Sequence, residues 1–248
     1  MFTSTIINQL YASQNATGNI ALSGIGLYVL MGAINVALKG RSYDQLSQFL
    51  GENFEDFFDN NTDKYSNTSR KWGILRFFSI ISSNVHTALF CSCNINYHYK
   101  KNSDKISDLN QIVVNFLKPG KLSRVVNEWL SRKIYGSPKI VFDESKLNEN
   151  TMIFIYTMVF RPDWENNFNV SLTKRETFYD DKGKLLEVSM MNQESYNFIY
   201  ESPDNNFRIL FKPFARMHFY SAIILPSDGN TVQDVLRDLK VFVIIYLA

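Results

Sequence analysis

This 248-residue chain has two cysteines, six prolines, eleven glycines and three histidines, and a formal net charge of only +2 from 26 basic and 24 acidic residues. Two cysteines, Cys91 and Cys93, make no disulfide framework; a Cys-x-Cys pair in an extended segment points both thiols to one face instead of closing a useful loop. A metal site would need further ligands, and His86, His98 and His218 have no paired spacing such as His-x-x-x-His, so no metal and no cofactor is expected. The near-neutral balance leaves no global basic field, so no nucleic-acid partner is expected either. No apolar run approaches the roughly 18 to 20 residues that span a bilayer, and no membrane span is expected.

The opening residues, Met-Phe-Thr-Ser-Thr-Ile-Ile-Asn-Gln-Leu, carry no basic n-region and no apolar h-region, so they do not read as a signal peptide and the default expectation is a cytoplasmic chain. What is abundant points to folding. The chain is 45% hydrophobic with 20 Phe and 13 Tyr, which opposes disorder and gives a core to one large domain.

Along the chain, Leu27, Leu30, Met31, Ile34, Ala37 and Leu38 recur at three- and four-residue steps, with Gly32 and Ala33 between them. This spacing predicts a helix over 23–39 that is buried on most sides and stopped by Gly40. A second helix is expected from Ser42 as N-cap, with Gln45 as its capping-box partner, Leu46, Phe49 and Leu50 as the buried stripe and Gly51 as terminator. Residues 52–71 are rich in turn formers and read as a surface connection with a short helix at 55–58. Residues 80–99 read as extended, and 111–117 as a second apolar run.

Beyond Pro119-Gly120, the residues Leu122, Val125, Val126, Trp129, Leu130 and Ile134 share one face of an amphipathic helix that must lie on something flat and apolar. Residues 151–160 (Thr-Met-Ile-Phe-Ile-Tyr-Thr-Met-Val-Phe) form a nearly unbroken apolar run, expected as a central strand covered on both faces. After it come short strands at 177–179, 185–191, 196–200, 207–212 and 217–225, separated by Asp180-Asp181-Lys182-Gly183, Pro203-Asp204-Asn205 and Pro226-Ser227-Asp228-Gly229. Helices lead and antiparallel strands follow, an α+β layout read as one domain over 1–248. No catalytic residues are legible: there is no Gly-rich phosphate loop and no Gly-x-Ser-x-Gly elbow, and Asp180-Asp181 reads as a solvated turn.

Several segments, in order, resemble the serpin family of serine protease inhibitors. Asn19-Ile20-Ala21-Leu22-Ser23, then Lys39-Gly40 and Gln45-Leu46, resemble the family's first motif; Val125-Val126-Asn127-Glu128-Trp129-Leu130 resembles the helix across the front of its large sheet. Residues 150–160, with Trp164, Phe168, Leu172-Thr173-Lys174 and Phe178-Tyr179, resemble the central strand and the signature at the sheet's top. Met190-Met191-Asn192-Gln193, Phe198-Ile199-Tyr200 and Ser221-Ala222-Ile223-Ile224-Leu225-Pro226 match later motifs, so the resemblance runs from about residue 19 to about 238.

The resemblance implies an α+β fold with N-terminal helices packed on a large mixed β-sheet and a second antiparallel sheet, incomplete at the C-terminus. It implies no enzyme activity and a partner that is a protease or another host protein, met outside the cell if the family's usual pattern holds by a non-classical route. Composition and weakened motifs are also similar to the divergent serpins of poxviruses. In the family's shutter region, where the sheet opens, the corresponding residues are Ser23, Gly24, Gly26 and Tyr156, in place of the usual Ser-Pro, Ser and Asn. These replacements remove hydrogen-bonding groups and a fixed proline φ where the sheet must part. The hinge, the reactive-centre loop and the last core strands are expected to be missing, which implies a chain that does not trap proteases covalently. Residues 241–247 (Val-Phe-Val-Ile-Ile-Tyr-Leu) read as a substitute strand that pairs into the sheet, the alternative being an unselected tail left by a truncating mutation.

Overall fold

The structure is a computed structural model that describes residues 2–15, 18–55, 66–82, 84–116, 121–134, 147–180, 183–201, 206–215 and 219–245. The chain divides into two compact units, one formed by residues 23–160 and the other by residues 1–22 together with 161–248. The short helix expected at 55–58 lies, apart from Glu55, outside the described residues.

In the unit of residues 23–160, α2 (Gly24–Asn35) follows α1 (Phe2–Ser13) of the other unit, and α3 is Arg41–Leu50. No residue of α2 is exposed, as its periodicity predicts. Gly51 ends α3 at φ 67°, a left-handed conformation that glycine adopts without strain, but its N-cap position is Gly40 and not Ser42. The capping-box pattern set the start two residues late, because Ser42 already lies inside the first turn.

The structure next adds α4 (Asn67–Ser82), β1 (Asn84–Cys91), α5 (Tyr97–Ile106) and β2 (Leu109–Val113). Helix α4 overturns the reading of a featureless connection reaching residue 71. Its start is capped by Ser66, whose hydroxyl accepts from the Ser69 N–H at 3.0 Å, and Trp72 seats it against α2. A Cβ at Gly32 would lie 2.5 Å from the Trp72 ring, so that helix crossing depends on the missing side chain. Of the extended run expected at 80–99, only β1 is strand. The Asn96 side chain accepts from the His98 N–H at 2.8 Å and opens α5 instead. Because β1 stops at Cys91, the thiols do not share a face: Cys91 is buried and Cys93 exposed.

β3 (Ile153–Val159) lies antiparallel to β1, and β2 lies parallel to it, in the order β2-β1-β3. The central strand among the described residues is therefore β1, and β3 is partly exposed along most of its length. Apolar run length alone chose wrongly, because Ala88, Leu89, Phe90 and Cys91 of the shorter β1 are the ones closed off on both faces. Side chains alternate across the sheet. Ala88, Phe90, Ile112, Ile153 and Ile155 meet α6 (Lys121–Lys133) through Leu122, Val126, Trp129 and Leu130, so the predicted amphipathic helix has its flat apolar partner. Phe90 and Trp129 meet edge to face at 6.0 Å. The opposite face carries Leu89, Cys91, Leu109 and Phe154.

In the other unit, β4 (Lys174–Tyr179) and β5 (Leu185–Met190) form a hairpin, and β6 (Phe198–Glu201), β7 (Phe207–Pro213) and β8 (Tyr220–Pro226) form an antiparallel sheet in sequence order. All five strands stand where turn clusters and apolar runs predict them. α7 (Val232–Ile245) follows, and Val235 and Leu239 pack on Phe207, Ile209 and Phe211 of β7. The strand expected at 241–247 is corrected by this helix, whose backbone runs without a break from Val232 to Ile245, and 246–248 lie outside the described residues. Thr231 and Asp234 form a reciprocal cap, the Thr231 N–H donating to the Asp234 carboxylate at 3.0 Å and the Asp234 N–H to the Thr231 hydroxyl at 3.2 Å.

Two stability measurements follow from this packing. Leu122→Ala should lower unfolding stability by about 2–5 kcal/mol in urea titration, the cost of a buried leucine truncation; a loss below about 1 kcal/mol would mean that α6 is not seated on the sheet. Hydrogen bonds from the Thr231 hydroxyl and then its N–H, with Arg237 adding attraction, hold the Asp234 carboxyl below its usual range. A depressed folded pKa contributes stability above the unfolded carboxylate value and loses it as pH falls through the folded one. Wild type should therefore lose its advantage over Asp234→Asn between about pH 4 and lower values, read by urea midpoints across pH.

Candidate functional site at the helix–sheet junction

Ser23 is the N-cap of α2, in an extended conformation, and its hydroxyl accepts from the Gly26 N–H at 3.1 Å. The same hydroxyl donates to Met158 Sδ of β3 at 3.6 Å. Gly24 and Gly26 are buried in the first turn. Alternation along β3 puts Tyr156 on the face of Met158 and Phe154, away from α6, and its ring lies flat against Gly26. A Cβ on residue 26 would stand 2.3 Å from Tyr156 Cε1 and 2.7 Å from Cδ1, closer than real contacts allow. The ring is where it is because that residue has no side chain.

The four sequence-predicted junction residues thus meet at one place. The Tyr156 hydroxyl is buried without a hydrogen-bond partner in the protein, a condition that costs on the order of 1–3 kcal/mol. Burial pushes the phenol above the ordinary tyrosine range, with the nearby Ser23 hydroxyl acting in the other direction. The phenol therefore stays neutral. Contact between strand and helix here consists of an aromatic ring on bare backbone, a helix cap and one weak hydrogen bond to sulfur.

Trp164 and Phe168 meet in the other unit, around a lysine that sequence reasoning missed. Lys212 of β7 is 3% exposed; its Nζ lies 5.4 Å from the Trp164 ring centroid and 4.9 Å from that of Phe168, and it donates to Gln193 Oε1. Gln193 in turn donates through Nε2 to the carbonyls of Asn166 and Asn167, at 3.1 and 2.9 Å. Trp164 also stacks on Phe214 at 4.8 Å, and the Glu165 N–H donates to the Pro213 carbonyl at 3.1 Å. The available signal was a single lysine inside the otherwise apolar Leu210-Phe211-Lys212-Pro213-Phe214. A cation held by two π faces and an amide oxygen is an anchor for the 164–168 segment.

Gly26→Ala should destabilise the chain by about 1–3 kcal/mol through overpacking. Tyr156→Ala in the same chain should recover part of that loss, because it removes the ring that the new methyl group meets. A denaturation double-mutant cycle with strictly additive losses would contradict the ring-on-glycine contact.

The family model for serpins (serine protease inhibitors) matches residues 1–242. Among curated relatives, the chain is 25% identical over 241 residues to intracellular coagulation inhibitor 1 of Tachypleus tridentatus, covering 93% of this chain and 56% of that protein. It is 25% identical over 251 residues to antithrombin-III of Mus musculus, covering 96% of this chain and 52% of that protein. The chain therefore spans about half the length of these relatives. Among solved structures it is similar to a Manduca sexta serpin, serpin-12, with a TM-score of 0.80, 18% identity and coverage of 95% of this chain and 65% of that one. A cleaved serpin 42Da gives a TM-score of 0.81 at 16% identity, covering 97% and 64%. These structural likenesses show the fold, with its N-terminal helices, mixed sheet and antiparallel sheets. With the family model matching nearly end to end, the chain belongs to the serpin family of serine protease inhibitors.

Proposed function

We propose that this 248-residue polypeptide binds a protease or another host protein reversibly, as a non-inhibitory modulator, and does not trap proteases covalently. The observation that carries the reading is the Tyr156 ring on Gly26. The resemblance implies that serpin inhibition inserts a cleaved loop as a new strand into the large sheet, releasing stored strain. Insertion needs β3 to move relative to α2. In this chain that movement must withdraw a partly buried aromatic ring from its seat on the helix and forfeit its packing contacts. Gly24 and Gly26, in place of the family's usual proline and Ser, carry no side-chain polar group, and Tyr156 puts a ring where the usual Asn would offer an amide to exchange partners as the strands part.

Purified chain mixed with trypsin-, chymotrypsin-, elastase- and papain-type proteases should give no SDS-stable complex, while a partner protease should co-elute in native size-exclusion chromatography and separate in SDS. A covalent complex that survives SDS would overturn the proposal. Retained activity of a co-eluting protease on a small substrate would support modulation, and loss of activity on dilution-reversible binding would point to blocking at a surface away from the bait position.

A further inference from the structure

A small cavity of about 40 Å³ lies within the unit of residues 23–160, between α2, α4, β1 and the junction of α5 with β2. Its lining includes Val29, Arg76, Thr87, Ser107, Asp108 and Tyr156. Most polar groups there are already engaged. Arg76 donates to the Asp104 carbonyl at 2.6 Å and pairs with the Asp108 carboxylate, and the Thr87 hydroxyl donates to the Asp108 carbonyl at 2.8 Å.

Two hydroxyls differ. Ser107 Oγ and Tyr156 Oη are both buried, both belong to residues that line this cavity, and neither has a hydrogen-bond partner in the protein. Each can donate and accept. A volume of about 40 Å³ exceeds the roughly 10–15 Å³ that a single water requires, holds one or two waters given the ~30 Å³ each takes up in the liquid, and is too small for a phosphate or an organic ligand. Buried polar groups in native proteins are satisfied by protein or by ordered water, and a polar site of this size meets the requirements for water.

We propose that this cavity is an internal hydration site in which ordered water bridges Tyr156 Oη to Ser107 Oγ, tying β3 to the α5–β2 junction. The ligand is water and the two hydroxyls are its fixed partners. This inference stands apart from the proposed function: it concerns how β3 is held, whatever the chain binds.

A crystal structure of the 248-residue chain, at a resolution that orders solvent, should show a water within about 2.7–3.2 Å of Tyr156 Oη, linked directly or through one further water to Ser107 Oγ. Direct bonding of either hydroxyl to a protein group, or a dry cavity, would overturn the proposal. Solution unfolding gives a second readout through Tyr156→Phe, Ser107→Ala and the double variant. If one water network serves both groups, the second deletion costs less than the first, and the double variant's unfolding constant should fall short of the product of the single effects by at least about twofold. Effects that multiply within error would count against a shared water.

Discussion

Tyr156 can lie flat on α2 only because residue 26 has no Cβ, and the arrangement of the 23–160 unit is organised around that contact. A protein interior packed to crystal-like density has no slack for one extra methyl group. The ring sets the separation of α2 from β3, and β3 in turn is registered on β1 from Asn84↔Val159 to Phe90↔Ile153. The opposite face of the same strands is closed by α6, so the sheet is held between a helix that touches it through bare glycine and one that touches it through Leu122, Val126, Trp129 and Leu130. Gly32 repeats the device on the next turns of α2, where Trp72 fills the place of a side chain.

The other unit uses a different means of fixing a loop to a sheet. Lys212 is buried against Trp164 and Phe168, with an amide oxygen as its acceptor, so its position is specified by ring faces and one oriented carbonyl. Removing an aromatic wall would leave a desolvated cation, which is far more costly than the loss of an equal apolar contact. Trp164 therefore has a structural role read in the geometry of its partners, and that role depends on a residue nearly fifty positions downstream as well as on Gln193.

Family membership and mechanism are separate questions for this chain. The match over residues 1–242 establishes descent and fold, while the proposed function rests on how the junction residues pack. A hydrogen-bonded junction can trade one partner for another as strands slide. A ring wedged on glycine has a single good arrangement, since dispersion contacts are lost within a fraction of an ångström. That physical difference connects Tyr156 to the proposed function without reference to any catalytic group.

Local chemistry, legible in the order of residues, dictates the buried character of α2, Gly51 as a stop, the apolar stripe of α6, the alternation and turns that separate β4 to β8, and the ordered motifs that resemble serpins. These depend on neighbours within a turn or a pleat. Tertiary structure alone decided that β1 and not β3 is central among the described residues, that residues 67–82 are helix once Trp72 has Gly32 to pack on, and that 241–245 extend α7. It also decided that Gly26 meets Tyr156 and that Lys212 sits between two rings. Residue type names the candidates for such contacts, but only the folded chain brings distant positions within van der Waals range, where the absence of one methyl group or the presence of one charge sets the energy.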